Sequence, residues 1–234
     1  MGNVFFGGGK VGMIEPGYFD VNTVLLMHCD ALKDHSQFKS TLTNTGAEFT
    51  TDAKFGKYAL NSFAASKGIK VAHNDAFNFG NGDFTIEFWV KFSSVTAGYQ
   101  TLIDHRGTAD GTGWLILVEQ GNYIAFLASA GSSWTVNLSL GSIADYLDEW
   151  VHVAVVRNGN TFTGYINGVA KGSTSNSLTI NSVTTDMFIG VGSSNITAGL
   201  TSAHYLQGSI DEIRISNAAR WTGAFTPPTA AYKG

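Results

Sequence analysis

Apolar and polar residues alternate along much of this chain with a period of two, the pattern of β-strands that bury one face. The longest example runs from Phe84 to Phe92, where every even-numbered position holds a large apolar residue. The odd-numbered positions hold Thr, Glu, Trp and Lys. This stretch therefore predicts a strand with one face in a core and the other in a mixed environment.

The same alternation recurs between turn sequences such as Asn81-Gly82 and Asn167-Gly168, whose residues adopt the positive φ angles of tight hairpin turns. Short strands are predicted around 58–63 and 68–72, and one turn of helix at most at 142–149 and 217–221. The other predicted strands are 21–30, 101–104, 114–119, 123–128, 133–138, 150–157, 161–166, 187–191 and 209–216. About a dozen strands without crossover helices predict an all-β fold of two antiparallel sheets packed face to face.

The apolar run from Thr23 to Cys29 is expected to pair with the strand that begins near Gly208. At period two, Asp211 shares a face with Ile213 and Ile215, which places a carboxylate in line with core residues. A buried carboxylate needs a hydrogen-bond, ionic or metal partner. We therefore treat Asp211 as a candidate site residue.

Composition narrows the class of protein. Only 14% of the residues are charged, the formal net charge is −4 and there are 28 glycines. A protein with this net charge lacks the basic surface that binds nucleic acid or an anionic membrane, so neither is expected as a partner. No apolar run approaches the roughly 20 residues of a spanning helix, so no membrane insertion is expected.

Cys29 is the only cysteine, which excludes an internal disulfide, and it is expected in the core. Residues 21–234 are long enough for one domain.

Residues 1–20 form a glycine-rich segment that is expected to be an extended arm. Because glycine loses much backbone entropy on folding, such a segment needs a surface on which to lie. The arm is either a start without fixed structure, a strand on its own domain, or an anchor on another subunit. The first ten residues have no basic leader, so no signal peptide is expected. The anchoring side chains would be Phe5, Phe6, Met13, Ile14, Tyr18 and Phe19.

Four stretches together resemble one family: 82–92, 150–169, 188–190 and 208–228. They look like the laminin G-like branch of the concanavalin A-like lectin and glucanase superfamily, as found in bacteriophage virion proteins. The resemblance covers about residues 22–230. It implies a jelly-roll sandwich that is usually non-catalytic, binds glycans or proteins, and sits on a tail fibre, a tail tip or a capsid surface.

The resemblance also implies one structural calcium ion, held by acidic residues after the first strand and at the start of the last. Asp30 and Asp211 match these positions, whereas Asn61-Ser62 replaces the family's Asp-Gly. Calcium takes six to eight oxygen ligands, so two carboxylates with carbonyls and water would suffice. The alternative is that Asp211 accepts hydrogen bonds from backbone amides of a neighbouring turn.

Glucanases of this superfamily carry paired carboxylates spaced Glu-x-Asp-x-x-Glu on one strand face. That spacing is missing here, and Glu87 stands alone on its strand. His152 is interpreted as a hydrogen-bonded structural residue. We therefore expect a protein that is not an enzyme.

Ligand contacts are expected from aromatic and polar residues on non-core faces or loops, because aromatic rings stack on sugars and polar neighbours orient them. The candidates are Trp89, Tyr99, His105, Arg106 and Trp134.

The resulting hypothesis is a non-catalytic virion protein, made in the host cytoplasm and located on the virion surface. Its partners would be other virion proteins, further copies of itself in a homo-oligomer such as a trimer, and a host-surface glycan. One alternative is a free carbohydrate-binding lectin module. The other is a glycoside hydrolase, which is disfavoured because the paired-carboxylate spacing is missing.

Overall fold

The computed structural model describes residues 20–95, 98–108, 111–192 and 204–233. The arm residues Phe5 to Phe19 lie outside this part of the chain. The strands of the described residues are β1 (Thr23–Met27), β2 (Leu42–Asn44), β3 (Glu48–Thr50), β4 (Ala59–Asn61), β5 (Ile69–Val71), β6 (Phe84–Phe92), β7 (Gln100–His105), β8 (Trp114–Glu119), β9 (Tyr123–Ala128), β10 (Val136–Ser142), β11 (Trp150–Asn158), β12 (Thr161–Ile166), β13 (Val169–Ser175), β14 (Met187–Ile189) and β15 (Gly208–Ser216).

These strands form two antiparallel sheets. The larger sheet has the order β13-β12-β11-β6-β15-β4-β3, and β1 also pairs with β15. The smaller sheet has the order β10-β9-β8-β7-β14-β5-β2. The predicted all-β, two-sheet antiparallel sandwich is therefore confirmed, as is the pairing of the first strand with the last.

The main core lies between the two sheets. The even-numbered residues of β6, from Phe84 to Phe92, are fully buried in it, as predicted. Trp114 of the facing sheet is 1% exposed, and its Nε1 donates a hydrogen bond to the Phe77 carbonyl at 3.0 Å. The aromatic side chains thus fill the interior, and Cys29 is buried there too, as expected.

Several local predictions differ from the structure. β10 begins at Val136 instead of Ser133, because Ser129 to Ser133 close a tight loop in which the Ser129 hydroxyl donates to the Ser133 carbonyl. β13 was not predicted because it is a polar edge strand without apolar alternation. Residues 217–221 form no helix; Ala218 instead accepts a hydrogen bond from the Thr85 hydroxyl.

Helix is confined to two single turns of 3-10 helix in the described residues, Asp75–Phe77 and Ala144–Tyr146. The second falls inside the predicted 142–149 turn. No helix in this part of the chain is long and apolar enough to cross a membrane.

The predicted orientation of Asp211 is wrong because β15 contains a β-bulge. Opposite β6, Asp211 pairs with Trp89 and Arg214 pairs with Glu87, so β15 carries one extra residue. Glu212 sits in this bulge with a φ of 48°. The bulge reverses the alternation of side chains along β15. Asp211 consequently lies on the outer face of the sheet, whereas Ile213 lies on the core face.

Candidate functional site

Three of the five predicted ligand residues are buried, which corrects the expectation that they face solvent. Trp89 is 5% exposed, and His105 and Arg106 are fully buried. Trp89 lies beneath the loop that follows β3, with Lys54 Nζ 3.9 Å from its ring centroid. A sugar ring therefore cannot stack on these side chains in this conformation.

The buried state of His105 and Arg106 follows from their neighbours. Arg106 Nη2 forms an ion pair with Asp104 Oδ2 at 2.6 Å. The His105 ring packs 5.8 Å from Phe77 and 5.4 Å from Trp114, measured between centroids, and burial lowers its pKa to about 3. His105 is thus a neutral core residue.

Tyr99 and Trp134 remain half-buried and come together on the outer face of the smaller sheet. Both pack against the same small cluster of buried aliphatic side chains from β8 and β9. The Tyr99 ring also lies 5.4 Å from that of His204. A ligand role for these two residues stays a prediction.

Asp30 and Asp211 hold the same loop from two sides. Asp211 Oδ2 accepts hydrogen bonds from the Lys54 and Phe55 amides at 2.9 and 3.1 Å. Asp30 Oδ1 accepts from the amides of Lys57 and Tyr58 at 2.5 and 2.8 Å. The two carboxylates therefore fix residues 54–58 over the outer face of the larger sheet.

These contacts satisfy the two carboxylates without a calcium ion. Calcium requires oxygen ligands, whereas the groups aimed at the two carboxylates are N–H donors, which repel a cation. Burial raises the pKa of Asp211 to about 7, although the hydrogen bond from the Phe55 amide acts to lower this pKa. Among the described residues, no group of three or more His, Cys, Asp or Glu side chains could hold a metal. The calcium ion implied by the resemblance stays a prediction, and the amide-bonded alternative accounts for the observed contacts.

An open groove lies where three neighbouring strands of the larger sheet end. β4 and β6 finish here at Asn61 and Phe92, and β15 begins at Gly208. Gly208 is required because a Cβ at this position would overlap the Lys91 carbonyl oxygen. The groove has a volume of about 460 Å³, within the range of small-molecule sites.

The groove is lined mostly by uncharged polar side chains over an apolar floor. Phe63 and Leu206, both buried, lie at its base. Its polar members are Asn61, Ser62, Ser93, Tyr205, Gln207 and Ser209. This site could not be predicted from the sequence, because residues 61–63 and 93 lie more than 100 positions before residues 205–209 and the three stretches share no motif.

A second feature missed from the sequence is a buried polar cluster beneath the C-terminal segment, residues 217–233. Glu87 accepts from Arg214 Nε at 2.8 Å and from Trp221 Nε1 at 3.0 Å. Burial by itself would raise the pKa of Glu87, but the hydrogen bond with His152 and the charge of Arg214 outweigh it and lower the pKa. Glu87 therefore fastens the segment to the sheet, and His152 is the structural residue that was predicted.

Several solved structures share this fold. The binding domain of Paraclostridial Mosquitocidal Protein 1 has a TM-score of 0.65 and 19% identity, over 85% of this chain and 49% of that one. The botulinum neurotoxin serotype D binding domain gives 0.64 and 18%, over 85% and 49%. The serotype D ligand-binding domain in complex with N-acetylneuraminic acid gives 0.65 and 16%, over 86% and 48%. This chain spans about half the length of each.

No curated protein matches the sequence. A family profile does match, over residues 64–222, which is more than half of the chain, and its description is concanavalin A-like lectin/glucanases superfamily. The match contains β6 to β15 and therefore most of both sheets. The chain belongs to this laminin G-like family of the concanavalin A-like lectin and glucanase superfamily.

Proposed function

We propose that this protein is a non-catalytic carbohydrate-binding module whose ligand occupies the groove at the ends of β4, β6 and β15. The single observation that carries the proposal is the lining of this groove, which offers amides and hydroxyls around Tyr205. Sugar hydroxyls pair with such groups, and sugar rings pack on aromatic faces. Family membership supports a binding role without fixing it, because one fold hosts many functions.

The buried carboxylates of the larger sheet do not favour glycoside hydrolysis. Glu87 and Asp211 are fully buried and Glu212 is 1% exposed. Each already accepts hydrogen bonds, Glu87 from Arg214 and Glu212 from the Tyr232 amide at 2.8 Å. A hydrolase needs an acid and a second carboxylate on either side of the bond to be cleaved, and these three side chains cannot reach a substrate.

The carbohydrate proposal is tested by a glycan array followed by calorimetry. We expect at least one oligosaccharide to bind, and Asn61→Ala to weaken that binding roughly tenfold through loss of one or two hydrogen bonds. Asn137→Ala is the matched control, since it removes an exposed amide from β10 in the other sheet. An array without binding, or equal affinities for both variants, would refute the assignment.

We further propose that the module acts on the surface of a bacteriophage particle. The resemblance of residues 82–92 and 208–228 to virion proteins supports this setting, and the glycine-rich residues 1–20 supply a candidate anchor. Other virion proteins and two further copies of the chain would be its partners, and a host-surface glycan its ligand. The arm would carry the contacts between the subunits.

Deletion of residues 1–20 tests the virion role. The shortened chain should keep its circular dichroism spectrum and its melting transition, but disappear from purified particles analysed by mass spectrometry. Light scattering should give a trimer for the full chain and a monomer for the shortened one. Normal incorporation of the shortened chain would exclude the arm as the anchor.

A further inference from the structure

Among the described residues, the side chains that line the groove of the proposed carbohydrate site carry no positive charge. Its polar lining consists of amides and hydroxyls from residues such as Asn61, Ser93 and Gln207. The carboxylate of an acidic sugar loses its hydration on binding, and this cost is repaid by a cation or by several N–H donors. The lining supplies hydrogen bonds for hydroxyl groups but no cation for a carboxylate.

A negatively charged group is hydrogen-bonded to this lining. Glu48 Oε2 accepts a hydrogen bond from the hydroxyl of Ser62, a lining residue, at 3.1 Å. A second carboxylate brought into the groove would be repelled by Glu48. The site is therefore biased electrostatically against anionic ligands.

The neighbouring cations lie outside the lining. The exposed Lys67 pairs through its backbone with Ala64, next to Phe63, and its side-chain stem lies beside Gly46. Lys91 pairs with Ser209 across the strands, but its Nζ forms an ion pair with Asp52 at 2.8 Å. His204 precedes Tyr205, and burial lowers its pKa, so it is uncharged at neutral pH. Residues 193–203, which precede His204 in the sequence and lie outside the described residues, contain no Lys or Arg.

We propose that the groove selects uncharged oligosaccharides and rejects sugars that carry a carboxylate, such as sialic and uronic acids. This selectivity rests on the proposed function, because it assigns the class of glycan that the same groove binds. Hydrogen bonds between neutral groups and packing on Tyr205 then supply the affinity. Salt has little effect on such binding, since no ion pair between ligand and protein is formed.

The selectivity is tested with matched pairs of glycans that differ only in a terminal N-acetylneuraminic or glucuronic acid. We expect the neutral member to bind roughly tenfold or more tightly than its acidic partner, with equal affinity at about 50 and about 500 mM NaCl. Tighter binding of the acidic member would overturn the selectivity and leave the carbohydrate function standing. Binding of neither member, across the whole array, would overturn both.

A charge placed in the groove gives a second test. Ser93→Lys adds an ammonium at an exposed lining position, and we expect it to raise affinity for the acidic member roughly tenfold in a salt-dependent manner. Ser132→Lys adds the same charge at an exposed position on the loop between β9 and β10 and should leave the preference unchanged. Equal effects of the two lysines would overturn the assignment of selectivity to this groove.

Discussion

The hydroxyl oxygen of Tyr232 lies 2.9 Å from Nε2 of His152, 80 positions earlier in the chain. The Tyr232 amide also donates to Glu212 Oε2, and the Arg214 guanidinium lies 4.2 Å from the centroid of the Tyr232 ring. One aromatic residue near the end of the described chain thus contacts polar groups of β11 and β15. The C-terminal segment is thereby a fixed layer on the larger sheet.

Tyr232→Phe should destabilise the protein, because it keeps the ring but leaves the buried His152 without its hydroxyl partner. The expected loss in the free energy of unfolding is about 1–2 kcal/mol, measured by urea denaturation. Tyr123→Phe is the control, since Tyr123 is 48% exposed and its change should stay within about 0.5 kcal/mol. Equal stability of the two variants would show that the Tyr232 hydroxyl contributes nothing.

Gly168→Ala should destabilise more than Gly159→Ala. Both glycines lie in turns beside β12 with positive φ, 75° and 58°, so each alanine bears a similar backbone strain of about 1 kcal/mol. A Cβ at Gly168 would also overlap the Phe225 carbonyl oxygen, whereas nothing lies within 4 Å of one at Gly159.

We expect the free energy of unfolding to fall by about 2 kcal/mol more in the Gly168 variant than in the Gly159 variant, because the turn after β12 and the C-terminal segment must separate. Thermal or urea unfolding measures this difference. Equal losses would mean that the Phe225 segment moves away freely.

His105 should make the protein sensitive to acid. Its folded pKa of about 3 lies below the ordinary value of 6.5, so between these values the unfolded chain binds a proton that the folded chain does not. The free energy of unfolding therefore falls as the pH falls from 6.5 towards 3, by at most about 1.4 kcal/mol per pH unit from this residue.

His105→Phe should flatten this dependence, since both ring nitrogens of His105 lack hydrogen-bond partners among the described residues and a phenyl ring fits the aromatic surroundings. Urea unfolding at about pH 7 and about pH 5 measures the difference. The partly exposed His35 serves as the comparison. Burial also lowers its pKa, but less strongly, so His35→Gln should change the slope less than His105→Phe does. A variant at position 105 with the wild-type slope would contradict the assignment.

Chelation should leave the melting temperature unchanged, because five backbone amides already bond the carboxylates of Asp30 and Asp211. The measurement is a thermal melt with excess EGTA and with added calcium. A higher melting temperature with calcium would establish the ion implied by the resemblance, with oxygen ligands drawn from water and carbonyls. Asp211→Asn should lower the melting temperature in either buffer. Asparagine has one acceptor oxygen, which cannot serve both the Lys54 and Phe55 amides and the Glu212 amide that now bonds the other carboxylate oxygen.

The local pattern of residues was sufficient to predict the strands whose side chains alternate and the turns between them. β6, β8, β9 and β12 have the predicted bounds, because alternation at period two and Asn-Gly turns are local properties of the chain. The two-sheet architecture followed from the number of strands and the lack of crossover helices. β13 could not be found in this way, since an exposed edge strand needs no apolar face.

The face of the sheet that each site residue occupies depends on contacts between distant parts of the chain. The bulge at Glu212 shifts Asp211 by one register position, and no local sequence pattern predicts this bulge. The burial of Trp89 depends on a loop that Asp211 holds in place from more than 150 positions away. The groove likewise joins Asn61 to Gln207 through strand pairing, and contacts between such distant residues are set by packing and not by sequence pattern.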